Sequence, residues 1–192
     1  MEERHMQRSK SYPAARIALK DIAAPLPTVG DLEKYLARQS ARATLRSRYG
    51  KAVDVSDWKL EVSDGRRCRR ALAYGTYKIA IPRWARNDWV VLHEWAHIVH
   101  ARVTAMERGE CLPRMVGYGS RTSELAGGPF HGWQYAAVYL DLVRFCMNTE
   151  AADALKTAFK EHRVRFRPKR TVTATPDQLE RLAAMRAAAR PK

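Results

Sequence analysis

Two histidines and a glutamate stand together in the stretch Asn87 to Arg102, NDWVVLHEWAHIVHAR. His93 and His97 are four residues apart, so on a helix their imidazoles lie on one face and can bind a single cation. Glu94 lies beside that face, where its carboxylate can accept a proton from a metal-bound water. This HExxH pattern predicts a zinc site with Glu94 as a general base.

The residues around the motif predict a buried helix. Apolar side chains cover most of its circumference: Trp89, Val90, Val91, Leu92, Trp95, Ala96, Ile98, Val99 and Val103. A helix this apolar belongs in a core, where two histidines and a glutamate need partners. Metal binding would satisfy both histidines, and a chance occurrence of the pattern in an ordinary core helix is the alternative.

Catalytic zinc usually takes three protein ligands, so a third is needed. His131 is the predicted one, because it stands in GPFHGWQY at the first turn of a second apolar helix. Glu124, in the polar segment SELAGG, is the alternative. His100 lies seven residues from His93, an axial rise of about 10.5 Å, which is too far for one ion. It is therefore predicted to be a core residue or to lie at the edge of the site.

The order of predicted elements indicates an α+β domain. Helices are predicted at 28–49, 87–103, 129–147 and 150–163, and strands at 52–55, 58–62, 69–74 and 77–81. The last two strands form a hairpin around Gly75-Thr76. We expect a small antiparallel sheet packed on the HExxH helix and on the second, ligand-bearing helix. Strand 77–81 is expected at an edge, where strand addition would bind an extended substrate.

The chain divides into three predicted segments. Residues 1–27 are expected to be a basic leader, because prolines discourage regular structure near its end. Residues 28–163 form the predicted domain, and residues 164–192 a basic C-terminal extension with a terminal helix. Three cysteines without a CxxC pair indicate neither a zinc ribbon nor a disulfide framework. With no signal core and no membrane span, a cytoplasmic protein is expected.

The net charge of +15 on 192 residues favours contact with nucleic acid. The basic segments are Arg4 to Lys20, Arg163 to Arg170, and a helix face formed by Arg38, Arg42, Arg46 and Arg48. We expect nonspecific binding through the basic extensions, and a solvated basic surface is the alternative.

The two motifs together resemble a known group. An HExxH helix followed by HGxxY, which here begins at His131, with a hairpin ahead of both, is similar to the SprT-like minimal zincins and to related metallohydrolases of actinobacteria and their phages. The resemblance covers about residues 69 to 147. It implies a zincin-like fold, Zn²⁺ bound by His93, His97 and His131, and Glu94 as the general base. Several SprT-like proteins cleave proteins crosslinked to DNA.

The expected function is that of a zinc-dependent hydrolase, most specifically a metallopeptidase acting on protein or peptide. Tyr118, Arg121 and Tyr135 are within reach as groups that stabilise the oxyanion, although each also has a structural interpretation. The alternatives are a nucleic-acid-binding accessory protein with a structural or vestigial zinc site and an antirestriction-like protein of a mobile element. A coordination position left open beside Glu94 favours the enzyme.

Overall fold

The computed structural model describes residues 2–57, 59–66, 68–109 and 132–167, with the backbone alone for residues 2–9. Its α-helices are Glu2–Leu19 (α1), Val29–Ser40 (α2), Ala43–Tyr49 (α3), Asp88–Glu107 (α4), Trp133–Cys146 (α5) and Thr149–Glu161 (α6). Its strands are Glu61–Asp64 (β1), Leu72–Tyr74 (β2) and Lys78–Ile81 (β3), and short 3-10 helices lie at Lys20–Ile22, Gly50–Val53 and Arg83–Ala85. The expected α+β class is confirmed, with helices predominating.

The three strands form a mixed sheet in the order β1-β3-β2. The predicted hairpin is confirmed, since β2 and β3 are antiparallel and Leu72 pairs with Ala80. Gly75 takes a positive φ of 56° in the turn, a conformation that favours glycine. The expected all-antiparallel sheet is wrong, because β1 runs parallel to β3.

Strand β3 lies in the centre of the sheet, so its expected position at an edge is wrong. Ile79, Ala80 and Ile81 are all buried, the continuous apolar pattern of a strand with neighbours on both sides. Strand addition at 77–81 is therefore excluded. The strand predicted at 52–55 is also wrong, since Gly50–Val53 is a 3-10 helix and β1 begins only at Glu61.

The helix predicted at 28–49 is two helices. Thr28 caps the first: its side chain accepts from the Asp31 amide, and the Asp31 carboxylate accepts from the Thr28 amide. The helix is interrupted at Ala41 and Arg42, before α3 begins. The Ser40 carbonyl in the break accepts from Arg46 Nε at 3.0 Å, so a side chain of α3 fastens the end of α2.

The N-terminal segment differs most from its prediction. Instead of a leader outside the domain, residues 2–19 form α1, which packs mainly against α6. Ser11, Ala14, Ala15 and Leu19 are buried, and the three apolar side chains belong to the main core. Small alanines allow close helix packing, which explains how a polar-looking segment enters the core.

Helix α4 lies between α5 and the sheet, and contacts β2 and β3. It begins after Asn87, whose side chain accepts from the Val90 amide at 3.0 Å. It extends to Glu107, about one turn past Val103, the last residue of the predicted helix. None of the helices in the described part of the chain has the length and apolarity needed to cross a membrane.

Candidate metal centre

His93 and His97 lie on one face of α4, as their spacing predicts. His93 is buried and His97 is partly buried. Their ring centroids are 5.2 Å apart and the rings are nearly perpendicular, at 77°. Two imidazoles that bind one tetrahedral zinc at about 2.1 Å bring their centroids to about 5 Å from each other. The pair therefore fits a shared zinc ion.

Tyrosine rings surround the two imidazoles. The His93 ring meets Tyr12 of α1 edge-on at 5.4 Å, and it meets Tyr135 and Tyr139 of α5 at 5.4 Å and 5.3 Å. Tyr135 also stacks on the His97 ring at 4.2 Å and 19°. These contacts fix the planes of both imidazoles from two different helices.

Two buried tyrosine hydroxyls fasten α5 to α4. Tyr135 Oη donates to the His93 carbonyl at 3.3 Å, and Tyr139 Oη donates to the Trp89 carbonyl at 3.2 Å. The structural interpretation of Tyr135 is thus supported, because its hydroxyl bonds the backbone of the motif helix. The spacing of HGxxY places this tyrosine one turn into the second helix, which is how the sequence identifies it.

Glu94 is 5% exposed, so its carboxylate is close to fully buried. Burial and then the charge of Glu94 raise the pKa of Tyr12, whereas Arg16 opposes them. Burial also raises the pKa of Tyr135, with smaller contributions from Tyr139 and Glu94. The hydroxyls of Tyr12 and Tyr135 therefore stay protonated at neutral pH.

Tyr12 is the site residue that the sequence reasoning missed. Its ring packs against His93 and also against Trp89, at 5.3 Å. It lies in the segment whose charges and prolines predict a basic leader, so the sequence does not place it near the motif. The helical spacing of Tyr12, Ala15 and Leu19 is the pattern that could have indicated a buried face.

The predicted third ligand, His131, lies outside the described residues, as do Glu124, Tyr118 and Arg121. Among the residues that the structure describes, no group of three His, Cys, Asp or Glu side chains could hold a metal ion. The described part thus brings together two of the three predicted ligands and Glu94, and the third remains a prediction.

His100 is a core residue, one of the two positions expected for it. It is 6% exposed, and burial lowers the pKa of its imidazole to about 4. His100 is therefore neutral at physiological pH. Its carbonyl accepts from the Thr104 hydroxyl at 2.9 Å, which belongs to the helix and not to a ligand site.

Three of the four arginines on the predicted basic face make contacts within the chain. Arg42 donates to the Phe145 carbonyl, Arg46 pairs with Asp54 at 3.2 Å, and Arg48 pairs with Asp141 at 2.5 Å. These contacts join α3 to α5 and to the segment after the 3-10 helix at Gly50–Val53. This face is therefore less available to phosphates than its sequence indicates. Residues 168–192, with the end of the other basic run and the predicted terminal helix, lie outside the described residues.

Comparison with protein-family models, with curated proteins and with solved structures finds no match for this chain. The resemblance to the SprT-like zincins therefore rests on the HExxH and HGxxY motifs. What the chain does must be inferred from the side chains of α1, α4 and α5.

Proposed function

We infer that the chain is a zinc-dependent hydrolase, and most specifically a metallopeptidase. The observation that carries this inference is the pair His93 and His97 on α4, with ring centroids 5.2 Å apart and Glu94 buried beside them. His131 is the proposed third ligand. Neutral imidazoles are ligands that zinc accepts readily, and a three-histidine set leaves a position open for chemistry.

The surrounding side chains are suited to hold such a ligand pair in place. Metal-binding histidines need their rings held in place by neighbouring groups. Here Tyr135 stacks on His97 and bonds the backbone of His93, while Tyr12 and Tyr139 pack against the His93 ring. His93 and His97 thus lie on a rigid core helix rather than on a loop.

When bound, zinc supplies Lewis acidity that lowers the pKa of water to about 7. Glu94 would accept the proton of the attacking water and pass it to the leaving amine. Its position directly after His93 on the same helix turn suits that role. Tyr12 is protonated and its ring packs against His93 at 5.4 Å, so it is our candidate for a hydroxyl that donates a hydrogen bond to the substrate.

The test combines metal content with activity. The purified chain should hold about one zinc, and His93→Ala, His97→Ala and His131→Ala should each lose tight binding. Glu94→Gln should retain zinc but lose hydrolysis by about 10²–10⁴-fold, the usual contribution of a general base. Elemental analysis and a peptide-cleavage assay, with and without DNA, measure the two effects.

Two outcomes would redirect this proposal. If His131→Ala keeps its full zinc content and Glu124→Ala loses zinc, the third ligand is Glu124 and not His131. Zinc binding without hydrolysis under any condition would favour a nucleic-acid-binding accessory protein with a structural zinc site. The net charge of +15 is the observation that supports this second function. It would equally suit an antirestriction-like protein of a mobile element.

A further inference from the structure

Three chain segments meet at one end of the sheet. Because β1 and β3 are parallel, Asp64 pairs with Ile81 and both strands finish there. Strand β2 is antiparallel and starts at the same end, where Leu72 pairs with Ala80. The Gly65 amide donates to the Ile81 carbonyl at 3.1 Å, which holds the turn after β1 against the exit of β3.

Gly65 is required at this meeting point. A Cβ on residue 65 would lie 2.7 Å from the Pro82 nitrogen and 2.9 Å from the Ile81 carbonyl carbon, both backbone atoms. Such contacts are too short, so only glycine allows the two segments this close. The turn that carries Arg66 is consequently packed directly against the segment that carries Arg83 and Trp84.

The side chains at this end are basic and aromatic. We name it the basic end of the sheet, formed by Arg66, Arg69, Arg70, Arg83 and Trp84, all exposed. Trp84 is 62% exposed and is the one aromatic among the large apolar side chains most exposed in the described residues. Most of the indole surface is therefore open to solvent, where an external aromatic ring could stack on it.

The charge of this end is positive and little neutralised. The segments 65–70 and 82–87 contain no acidic residue. Asp64, the carboxylate at the end of β1, pairs with Arg66 at 2.8 Å and with the buried Arg86 at 2.8 Å. One carboxylate is thus shared by two guanidinium groups, while Arg69, Arg70 and Arg83 add further positive charge.

We propose that the basic end of the sheet binds single-stranded nucleic acid, with a base stacked on Trp84 and phosphates contacted by Arg69, Arg70 and Arg83. An exposed aromatic ring among arginines is the combination that single-strand binding uses, because every base has a face for stacking and every nucleotide a phosphate. Duplex DNA hides its base faces, so a single strand fits the indole better. The proposal does not depend on the zinc site.

This surface is separate from the basic segments predicted from the sequence. Those lie at the two ends of the chain and on the arginine face of α2 and α3, where three arginines make internal contacts. Arg66, Arg69 and Arg70 instead supply positive charge beside the end of the sheet. The sheet topology adds Arg83 and Trp84 to it.

The experiment is a titration of the full chain, with and without chelator, into fluorescently labelled 20-nucleotide oligo(dT), oligo(rU) and a duplex of the same length. Anisotropy should show tighter binding of single strands than of duplex. Trp84→Ala should weaken it by about 5- to 100-fold, and Trp84→Phe, which keeps an aromatic face, by less. Arg69→Gln/Arg70→Gln removes two phosphate contacts and should lower the slope of log affinity against log salt by about 1.4.

A matched pair of variants decides where binding occurs. Arg163→Gln/Arg167→Gln removes two exposed arginines outside the basic end and should change single-strand affinity much less than Arg69→Gln/Arg70→Gln. The proposal is overturned if Trp84→Ala binds as wild type, or if the Arg163/Arg167 pair carries the whole effect. It is equally overturned if oligo(dT) and oligo(rU) fail to bind at low salt while polyglutamate does, since the partner is then an acidic protein. Tighter binding of oligo(dT) or of oligo(rU) identifies the preferred partner as DNA or as RNA.

Discussion

The two halves of α4 bury polar side chains in contrasting surroundings. In the N-terminal half, His93 and Glu94 lie among aromatic rings contributed by α1 and α5. In the C-terminal half, Arg102 is fully buried and its guanidinium donates to three backbone carbonyls. The N-terminal half collects groups that can bind metal or transfer protons, and the C-terminal half holds a charge that backbone carbonyls fix in place.

The contacts of Arg102 are structural in kind. Nε and Nη2 donate to the Thr76 carbonyl at 2.9 Å and 2.7 Å, and Nη1 donates to the carbonyls of Ala52 and Asp54 at 3.1 Å and 3.0 Å. This single side chain ties α4 to the hairpin turn and to the 3-10 helix at Gly50–Val53. Burial lowers the pKa of Arg102 to about 9, so the group is still charged at neutral pH.

The difference shows how a burial pattern separates two roles. Carbonyls at three positions of the chain accept from the guanidinium of Arg102 and fix it in place, so its role is to stabilise the fold. Tyrosine rings instead orient the planes of His93 and His97, which is the support that a metal ligand requires. The comparison therefore predicts that changes in the C-terminal half affect stability most, and changes in the N-terminal half affect metal binding.

The largest expected effect on stability comes from Arg102→Met. Methionine keeps an unbranched apolar stem but leaves the carbonyls of Thr76, Ala52 and Asp54 without this donor. We expect a loss of roughly 3–5 kcal/mol in the free energy of unfolding, since several buried acceptors lose their partner together. Urea denaturation followed by circular dichroism measures it.

The matched control for Arg102 is Arg144→Met on α5. Arg144 pairs with Asp153 at 3.3 Å and is 40% exposed. An exposed ion pair contributes about 0–1 kcal/mol, so this variant should unfold close to wild type. Equal losses in the two variants would show that the buried carbonyl contacts of Arg102 do not stabilise the fold.

A second effect on stability depends on pH, through His100 in the middle of α4. Its folded pKa is about 4 against about 6.5 in the unfolded chain. Between these two pKa values the imidazole is protonated in the unfolded state but not in the folded state. The free energy of unfolding is therefore highest above pH 6.5 and falls as the pH drops towards 4. The shift corresponds to a loss on the order of 3 kcal/mol.

His100→Gln should flatten this pH dependence relative to wild type. Both proteins are unfolded in urea at several pH values between 4 and 7.5, with chelator present so that metal binding does not contribute. The variant removes the titrating imidazole but keeps the backbone carbonyl that accepts from Thr104. If the two proteins lose stability in parallel as the pH falls, His100 is not the group responsible.

Features with local causes were predictable from the sequence. Asn87 and the apolar spacing after it mark the start of α4, and the capping pair Thr28 and Asp31 marks the start of α2. Gly75 marks the turn of the hairpin. In each case the deciding interaction joins residues within about one turn of each other, so the sequence pattern contains it. The position of His93 and His97 on one face follows for the same reason.

Features that depend on distant partners were not predictable. Strand β1 pairs with β3 rather than with β2, its successor in the chain, and no local pattern indicates that choice. Residues 2–19 look like a basic leader until α6 provides a surface for Ala14, Ala15 and Leu19. Tyr12 joins the candidate site through the same packing. The structural role of Arg102 could not be predicted, because its acceptors are backbone carbonyls 26 to 50 residues away.

The smallest expected effects come from the two tyrosines that fasten α5 to α4. Tyr135→Phe and Tyr139→Phe each remove one buried hydroxyl that donates to a carbonyl of α4, at 3.3 Å and 3.2 Å, and each retains the ring. Both should lose about 1 kcal/mol of stability. Only Tyr135 bonds the backbone of His93 and stacks on His97, so Tyr135→Phe should also weaken zinc binding, whereas Tyr139→Phe should bind zinc nearly as wild type. Competition with a chromogenic chelator measures the affinity. Equal zinc affinities in the two variants would mean that the Tyr135 hydroxyl supports only the packing of α5 on α4, and that the orientation of the imidazoles rests on the aromatic rings alone.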